Sequence, residues 1–301
     1  MRTGACLQQY SSIDAQAEQL TGFDQHYEQV DSGAFSGAFM SVDGDRVGVF
    51  IERTNRALHQ YGAGPDDQIS AVVLLESPNG TMSNGAPFGV EDVLLVGPGG
   101  SYDAVVGQEA VPAVFSLSLA LSPALPLQRL AARLQGKVRL VSDSALSHRF
   151  RSTAAGVLRS WDASQQSAEV PVEVVQGLML DLLTTPAAAG GSSCRNLELF
   201  RRTKSIMVDS LREQIAISEV ASRAGVSRRS IEQAFQDSVG LSPSRFRKLL
   251  RLNNARRLLE QGSHRVTEAA MDSGLFHLGR FSAEYFDLFG EPPSHTARRS
   301  R

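Results

Sequence analysis

Between residue 26 and about residue 120, short apolar or alternating runs are separated by turn residues, a pattern typical of antiparallel β-structure. The runs predict strands over 34–42, 46–53, 69–75, 92–96 and 111–119. Asp43-Gly44 and Asn79-Gly80 are the strongest hairpin signals, because a two-residue hairpin needs residues that tolerate a positive φ. Strands at this spacing favour a sandwich or a barrel.

From about residue 122 the apolar spacing lengthens to three and four residues, which predicts helices. We expect a short helix around 127–134 and longer helices over 144–161 and 171–183. One face of the last helix carries a run of apolar side chains: Val174, Val175, Leu178, Met179, Leu182 and Leu183. We predict a homodimer interface on the two longer helices, although packing within the chain would explain the same spacing.

Residues 184–196 are small, rich in Gly and Ser, and without periodicity. We interpret 1–185 as a regulatory and dimerisation domain, 186–196 as a linker and 197–301 as a helical domain. Within the last, the spacing predicts helices over 197–213, 218–225, 227–238, 242–260, 267–274, 277–288 and 292–299. Side chains that favour the N-cap position stand at Ser218, Ser227, Ser242 and Thr267.

A degenerate repeat runs through this helical half. The pattern E-x-A-x-x-x-G at 219–225 recurs at 268–274, and the residues Ile231, Phe235, Gly240, Pro243 and Ser244 recur as Phe281, Tyr285, Gly290, Pro293 and Ser294. Each copy meets the needs of a helix-turn-helix: a small residue where helices cross, a glycine at the turn, and a second helix with one polar face. We therefore predict two such units, 218–238 and 267–288.

The predicted helix over 242–260 joins the two units. At about 1.5 Å per residue its 19 residues span about 28 Å, close to the roughly 34 Å of one turn of B-DNA. This length would let the two recognition helices enter adjacent major grooves without a second subunit. The alternative is a helical repeat that binds protein, although such repeats usually need three or more units.

The formal net charge of −2 hides two unlike halves. Residues 1–194 carry 11 Lys/Arg and 20 Asp/Glu, a net charge of −9, whereas residues 195–301 carry 19 basic and 12 acidic side chains, a net charge of +7. A basic half indicates a polyanionic partner such as nucleic acid. The alternative is a basic surface that only faces water.

The segments ISEVASRAGVSRRSIEQAFQDSVGLSPSRFRKLLRLNNARRLL and VTEAAMDSGLFHLGRFSAEYFDLFGEPPS resemble the DNA-binding domain of AraC/XylS transcription regulators. The second segment is most similar to the subset related to the ethanolamine-utilisation regulator. The resemblance implies an N-terminal cupin-like β-domain with flanking helices that binds an effector and dimerises. The expected fold class is therefore α+β, with a cupin-like antiparallel β-sandwich or barrel before an all-α DNA-binding domain.

In the first recognition helix, the base-reading positions implied by the resemblance are Arg229, Glu232 and Gln233, with Arg228 and Gln236 as neighbours. Arginine offers a bidentate fork to guanine, glutamine pairs best with adenine, and glutamate accepts from cytosine. For each residue the alternative is a solvated surface position.

The second recognition helix departs from this pattern. Its matching positions are Leu278, Gly279 and Ala283, which offer no side-chain hydrogen bond to a base. Leu278 could touch a thymine methyl group. The polar residues nearby are His277, Arg280 and Glu284. Arg280 could contact DNA or pair with an acidic neighbour, so this unit is expected to read sequence more weakly, through shape or water.

Phosphate contacts are expected from helix N-termini and the basic surface. The candidates are Ser227, Ser242, Arg245, Arg247, Lys248 and Arg251. Arg256 and Arg257 are further basic residues, at a position that often packs internally in the family.

The N-terminal half supplies few ligands for catalysis. Its histidines His26, His59 and His148 form no HxH pair, so a cupin-type metal enzyme with an accessory DNA-binding module is only an alternative, and no metal or cofactor is expected. Cys6 and Cys194 are too far apart in sequence for a zinc motif. Six aromatic residues could line an effector pocket or form an ordinary core: Phe50, Tyr61, Phe88, Tyr102, Phe115 and Trp161.

The sequence thus predicts a cytoplasmic transcription regulator, with no secretory signal and no apolar run of the roughly 20 residues that a membrane helix needs. Its expected partners are double-stranded promoter DNA, a second copy of itself and RNA polymerase, and a small-molecule effector stays open. We expect an activator, with repression left open.

Overall fold

The computed structural model describes residues 2–121, 125–161, 166–187 and 194–299. The elements of the N-terminal region are β1 (Arg2–Tyr10), α1 (Ile13–Ala17), β2 (Asp24–Gln29), β3 (Gly37–Asp43), β4 (Val47–Thr54), β5 (Leu58–Ala63), β6 (Gln68–Glu76), β7 (Thr81–Ser83), β8 (Ala86–Pro87), β9 (Asp92–Val96), β10 (Ser101–Val106), β11 (Val111–Ser118), α2 (Leu125–Ala132), β12 (Val138–Ser142), α3 (Ser144–Arg159), β13 (Ser167–Glu169) and α4 (Val172–Thr184). The C-terminal region is helical: α5 (Cys194–Asp209), α6 (Ile217–Arg223), α7 (Arg228–Val239), α8 (Pro243–Glu260), α9 (Val266–Asp272), α10 (Leu278–Phe289) and α11 (Pro293–Arg299).

The strands form two antiparallel sheets. An eight-stranded sheet has the order β12-β9-β6-β11-β4-β3-β1-β13, and a five-stranded sheet has the order β2-β5-β10-β7-β8. In the larger sheet β11 pairs with both β4 and β6, so Phe115 lies opposite Val49 on one side and Ala71 on the other. The predicted α+β class, with an antiparallel β-region before a helical region, is confirmed.

Strand β4 lies between two layers of the N-terminal region, the main core on one face and the five-stranded sheet on the other. Val47, Val49 and Ile51 are buried in the main core of the N-terminal region, which also includes apolar residues of α3 and α4. The alternate residues Phe50 and Glu52 face the five-stranded sheet instead, across a cavity. This two-residue period follows from the pleat of the strand, which sends successive side chains to opposite faces.

The helices expected over 144–161 and 171–183 are present as α3 and α4, but their apolar faces are buried inside the chain. Val175, Leu178 and Met179 are fully buried and join Phe150 in the main core. Of the apolar run predicted for the second helix, Val174 alone is exposed, at 51%. Packing within the chain therefore explains the spacing on which the dimer interface was predicted.

Strands β1, β2, β5 and β10 escape prediction because polar side chains interrupt their apolar pattern. Glu28, Gln29, His59, Gln60 and Asp103 are all buried, although their residue types usually face water. Contacts with other segments engage at least one polar atom of each of these side chains, and a local sequence pattern does not reveal such contacts. Within the described residues, Glu28 Oε2, Gln29 Oε1 and His59 Nδ1 still have no hydrogen-bond partner.

The predicted C-terminal helices lie within a few residues of the observed ones. Ser227 and Ser242 cap α7 and α8 as expected, since each hydroxyl accepts a hydrogen bond from the amide three residues on, at 3.1 and 3.3 Å. Ser218 and Thr267 are not caps, because α6 and α9 begin one residue before them. Helix α5 begins at Cys194, inside the predicted linker, and residues 188–193 of that linker lie outside the described residues.

The C-terminal region packs on the outer face of the five-stranded sheet. Asp103 of β10 accepts a hydrogen bond from Arg201 Nε of α5 at 2.7 Å and forms an ion pair with Lys204. His59 Nε2 lies 3.3 Å from the same carboxylate. Burial by itself would raise the pKa of Asp103, but the His59 hydrogen bond and the Lys204 charge hold that pKa below its ordinary value.

Farther along the sheet the contacts are uncharged. The main chain of Gln29 exchanges two hydrogen bonds with the Asn253 side chain of α8, at 2.9 and 3.0 Å. The Gln29 side chain and the Gly33 amide both donate to the carbonyl of Leu288 in α10, each at 2.8 Å. The end of α10 is thereby tied to the N-terminal region by backbone and amide groups.

Helix α8 adds a charged contact between the ion cluster at Asp103 and the uncharged contacts at Gln29. Arg257 Nε lies 3.1 Å from Asp14 Oδ1, and Arg257 Nη2 lies 3.4 Å from Glu28 Oε1. Burial raises the pKa of Glu28 to about 7, against the lowering effect of Arg257. The neighbouring Arg256 is buried and pairs with Glu260 at 2.8 Å. Both arginines therefore pack internally, as the family position implied.

Candidate nucleic-acid interface

Helices α6 and α7 form the first of two similar helix pairs in the C-terminal region. Gly225 lies in the turn between them with φ of 66°, a left-handed conformation that glycine adopts at little cost. Ile231 and Phe235 are fully buried and hold α7 against the core of this pair. The opposite face of α7 is free for contact with a partner.

That free face carries the five residues predicted to read bases. All are exposed: Arg228, Arg229, Glu232, Gln233 and Gln236. Arg228 Nε donates to Glu232 Oε1 at 2.9 Å, one helical turn away. Gln233 Nε2 donates in the same way to Asp237 at 2.7 Å. Within the described residues, no side chain pairs with Arg229 or with the Gln236 amide, so both offer donors on this face without breaking a bond.

Helices α9 and α10 form the second pair. Gly274 lies in its turn with φ of 71°, and Phe281 and Tyr285 bury the inner face of α10 as Ile231 and Phe235 do in α7. The outer face has a different chemistry. Apart from the charged Arg280 and Asp287, its exposed residues are Leu278, Gly279, Ser282, Ala283 and Phe286, of which Phe286 is 53% exposed. An apolar stripe therefore replaces the amides and guanidinium groups of α7.

Charged residues flank this stripe. His277 precedes α10 and is exposed. Arg280 is paired with Glu284, Nε to Oε1 at 3.0 Å, and Lys248 of α8 reaches the same oxygen at 3.3 Å. The Arg280 side chain is 74% exposed, so it takes part in an ion pair and still faces solvent. Both alternatives for Arg280, a DNA contact and an acidic neighbour, are compatible with this geometry.

The predicted phosphate contacts separate into two groups. Ser227 and Ser242 stand at helix N-termini, and the side chains of Arg245 and Lys248 are exposed. Arg247, in contrast, is buried, and both ends of its guanidinium donate to main-chain carbonyls, of Ile215 and of Glu213. The phosphate role predicted for Arg247 is therefore corrected to a structural one.

Arg251 has the same structural role. Its Nε donates to the carbonyl of Leu211 at 3.1 Å and its Nη2 donates to that of Glu213 at 2.5 Å. Together Arg247 and Arg251 bind the segment between α5 and α6 onto α8. Burial, together with the charge of Arg251, lowers the pKa of Arg247 to about 10. Both remain charged at neutral pH, which the carbonyl dipoles support.

A groove of about 420 Å³ lies between the two pairs. It is lined by Ile217 of α6, by Lys248 of α8 and by His277, Arg280 and Glu284 at α10. The sequence analysis named Glu284 only as a polar neighbour of the second recognition helix, and it did not name Phe286. The i, i+4 spacing of Arg280 and Glu284 was a usable signal for the ion pair, whereas the exposure of Phe286 follows only from its place on the outer face.

A helix-turn-helix domain model matches residues 220–299, which include both helix pairs from Val220 onward. A probable thc operon regulatory protein of Rhodococcus erythropolis is 39% identical over 89 residues, covering 29% of this chain and 27% of that protein. An XylDLEGF operon transcriptional activator of Pseudomonas putida is 34% identical over 105 residues, covering 34% of this chain and 32% of that protein. The chain thus matches about a third or less of the length of these curated relatives.

Among solved structures, a probable AraC family transcriptional regulator from Rhodopseudomonas palustris is 38% identical, with a TM-score of 0.32, and the match covers 35% of this chain and 98% of that chain.

In the described parts of the chain, no helix is long and apolar enough to span a membrane. Those parts also contain no group of three or more His, Cys, Asp or Glu residues arranged to hold a metal ion.

Proposed function

We propose that this chain is a sequence-specific transcription regulator of the AraC/XylS type that binds double-stranded promoter DNA, because residues 220–299 match a helix-turn-helix domain model. The observation that carries the proposal is the exposed face of α7, where five polar side chains stand together on the second helix of a matched domain. The relatives that are named as operon regulators favour this function over the alternative of a metal enzyme.

In this proposal each helix pair works as a helix-turn-helix, and α7 and α10 enter adjacent major grooves. Helix α8 has 18 residues, which at about 1.5 Å per residue gives a spacer of about 27 Å. That length is compatible with recognition helices about one turn of B-DNA apart. Ser227, Ser242, Arg245 and Lys248 supply the phosphate contacts that fix the register.

The two recognition helices read DNA differently. On α7, Arg229 and Gln233 present the groups that pair bidentately with guanine and adenine. On α10, Leu278 and Phe286 are suited to the C5-methyl group of thymine, and the neighbouring Arg280 to a phosphate or a base. The first pair therefore supplies most of the direct readout of sequence.

The N-terminal region is proposed to be a cupin-like regulatory domain that also forms the homodimer. Exposed apolar side chains on its helices support a contact surface: Leu158 of α3 and Val174 and Leu180 of α4. Sedimentation of the full chain at micromolar concentration tests this, because Val174→Glu together with Leu180→Glu should turn a dimer into a monomer. RNA polymerase is the further partner expected of an activator, a role that fits the names of the Pseudomonas putida relatives.

Selection of genomic fragments by the purified full chain, followed by gel-shift titration of the best fragment, tests DNA recognition. The unmodified chain should prefer that fragment over scrambled DNA, and Arg229→Ala with Gln233→Ala should remove the preference. Arg46→Ala, an exposed arginine between β3 and β4, is the matched control and should bind normally. Equal affinity of the unmodified chain for all fragments would contradict the proposal.

A further inference from the structure

The two sheets of the N-terminal region enclose a cavity of about 60 Å³. Of the six aromatic residues that the sequence offered for a pocket, Phe50, Phe88 and Tyr102 line it. Tyr61 lies instead under the Lys204 ammonium, on the outer face of the smaller sheet. Phe115 and Trp161 belong to the main core behind the larger sheet. The space exceeds the roughly 10–15 Å³ needed for one water, so it suits a compact ligand of a few heavy atoms.

One carboxylate faces this cavity. Glu52 is 6% exposed, and its two oxygens accept hydrogen bonds from Gln16 Nε2 at 2.7 Å and Gln60 Nε2 at 3.0 Å. Among the cavity-lining residues, all of which the structure describes, there is no lysine, arginine or histidine. The carboxyl group therefore lies in an apolar, aromatic space whose other lining residues are neutral. An ionised carboxylate buried in a protein is usually paired with a cation, and no cation lines this cavity.

The polar residues around Glu52 are oriented as donors toward it. Tyr102 donates to Gln25 Oε1 at 2.7 Å, Gln25 Nε2 donates to the Tyr27 hydroxyl at 2.5 Å, and Tyr27 is hydrogen-bonded to Glu52. This chain of donors ends on a carboxylate that accepts. Burial raises the pKa of Glu52, and the hydrogen bonds from Tyr27 and the two glutamines oppose that rise.

A second group in the cavity is also unsatisfied. Ser83 of β7 is 2% exposed and lines the cavity, and within the described residues its Oγ has no hydrogen-bond partner. A buried hydroxyl without a partner costs free energy unless a ligand or a water satisfies it. The cavity thus combines a carboxyl group without a cationic neighbour, an orphan hydroxyl and aromatic walls.

We propose that this cavity binds a small organic ammonium ion, whose charged nitrogen pairs with Glu52 and whose apolar body lies against the aromatic walls. Three features select this class of ligand. An ammonium supplies the missing countercharge and N–H donors for the remaining lone pairs of Glu52. The faces of Phe and Tyr rings attract cations. A carboxylate ligand would meet like charge, and a neutral alcohol would leave the charge of Glu52 uncompensated.

The position of the cavity connects the ligand to the C-terminal region. Along β5, Gln60 faces the cavity while its neighbour His59 faces α5 and α8; along β10, Tyr102 faces the cavity while Asp103 binds Arg201. Adjacent residues of the same strands thus contact the ligand space and the helical region. A ligand that shifts these strands will shift the interdomain contacts, and this second step rests on the proposed function in DNA binding.

Thermal unfolding of the full chain tests the ligand class without DNA. Isobutylammonium at about 10 mM should raise the melting temperature by about 2 °C or more, whereas 2-methyl-1-propanol and isobutyrate of similar shape should not. Glu52→Gln keeps the shape of the side chain and should lose the response to the amine, because a neutral amide offers no charge to the ammonium. Glu91→Gln, an exposed glutamate next to β9, is the matched control and should keep the response.

Three results would overturn the proposal: no shift with isobutylammonium, an equal shift with the alcohol, or an amine response that survives in Glu52→Gln. The comparison of the three ligands on the unmodified chain decides the question even if a variant is poorly folded. The coupling step is measured separately, as a change in DNA affinity with and without the amine. If the unmodified chain binds the amine but no DNA, the proposed function is contradicted and the assignment of the cavity ligand still holds.

Discussion

The first and second helix pairs of the C-terminal region share one backbone plan and differ in the chemistry that they expose. In both, a left-handed glycine ends the second helix, Gly240 with φ of 66° and Gly290 with φ of 71°. The outer face of α7 is polar, whereas that of α10 is an apolar stripe between Leu278 and Phe286. The comparison teaches that the residues that maintain this fold and those exposed on its outer face vary independently.

The two pairs are also attached to the N-terminal region by different chemistry. The first pair is held through α5 by the ion cluster around Asp103, with Arg201 and Lys204. The second is held by Gln29 and the Gly33 amide on the Leu288 carbonyl. Ion clusters are sensitive to the loss of any one charge, while amide contacts lose only one hydrogen bond at a time.

The largest expected effect comes from removing the charge at the centre of the first attachment. Asp103→Asn should lower the free energy of unfolding by about 3 kcal/mol, because Lys204 remains buried without a countercharge. Urea denaturation measures this. Gln29→Ala, at the second attachment, should cost about 1–2 kcal/mol. Asp181→Asn, which breaks an exposed pair with Arg149, should cost well under about 1 kcal/mol. A larger loss for Gln29→Ala than for Asp103→Asn would reverse the comparison.

The next effect concerns the recognition face of α7. Arg229→Ala should weaken binding by about 1–3 kcal/mol at one base pair and relax specificity there. Arg280→Ala, on α10, should weaken binding to all sequences by a smaller and uniform amount. Titration of each variant against a set of single-base changes in the selected fragment separates the two. If Arg229→Ala lost affinity uniformly, the base-reading role of α7 would be wrong.

The helix that connects the pairs should give the attachment a pH dependence. Glu28 has a folded-state pKa of about 7, above its ordinary value of 4.5, so the folded chain holds a proton that the unfolded chain releases. The free energy of unfolding should therefore fall as the pH rises from about 5.5 to 7.5, by about 2 kcal/mol from this group. Glu28→Gln should remove that part of the dependence. Identical pH profiles for the variant and the unmodified chain would contradict the assignment.

The smallest expected effect distinguishes the apolar face of α10. Replacing thymine by deoxyuridine removes only the C5-methyl group and should weaken binding by about 0.5–1 kcal/mol at a position that Leu278 or Phe286 contacts. Leu278→Ala with Phe286→Ala should bind both DNA forms equally. The same replacement under α7 should have no effect, and a uniform loss at all thymines would argue against a methyl contact by α10.

Much of the helical region was predictable because its signals are local. Caps such as Ser227, turn glycines such as Gly225 and the buried pair Ile231 and Phe235 all lie within a few residues of the features that they determine. The exposure of the α7 face follows from the same periodicity. Contact of these residues with DNA stays a prediction.

The features that could not be predicted from the sequence depend on contacts between segments that are distant along the chain. An arginine such as Arg247 is a residue type that commonly binds phosphate. Its structural role follows only from the carbonyls of Glu213 and Ile215, which accept its hydrogen bonds. Asp103 and Glu28 look like surface residues until their partners on α5 and α8 are in place. The burial of Glu52 was equally hard to predict. The five-stranded sheet covers it, and polar residues in those strands hide the alternation of apolar and polar positions that would reveal them.

The Leu288 carbonyl, which accepts two hydrogen bonds from the N-terminal region, marks a contact whose opening can be measured. Its partner, the Gly33 amide, is protected from solvent only while α10 lies against the N-terminal region. Hydrogen–deuterium exchange at this amide therefore follows the opening of the two regions rather than the unfolding of either one. The exchange rate at one glycine reports how often α10 separates from the N-terminal region.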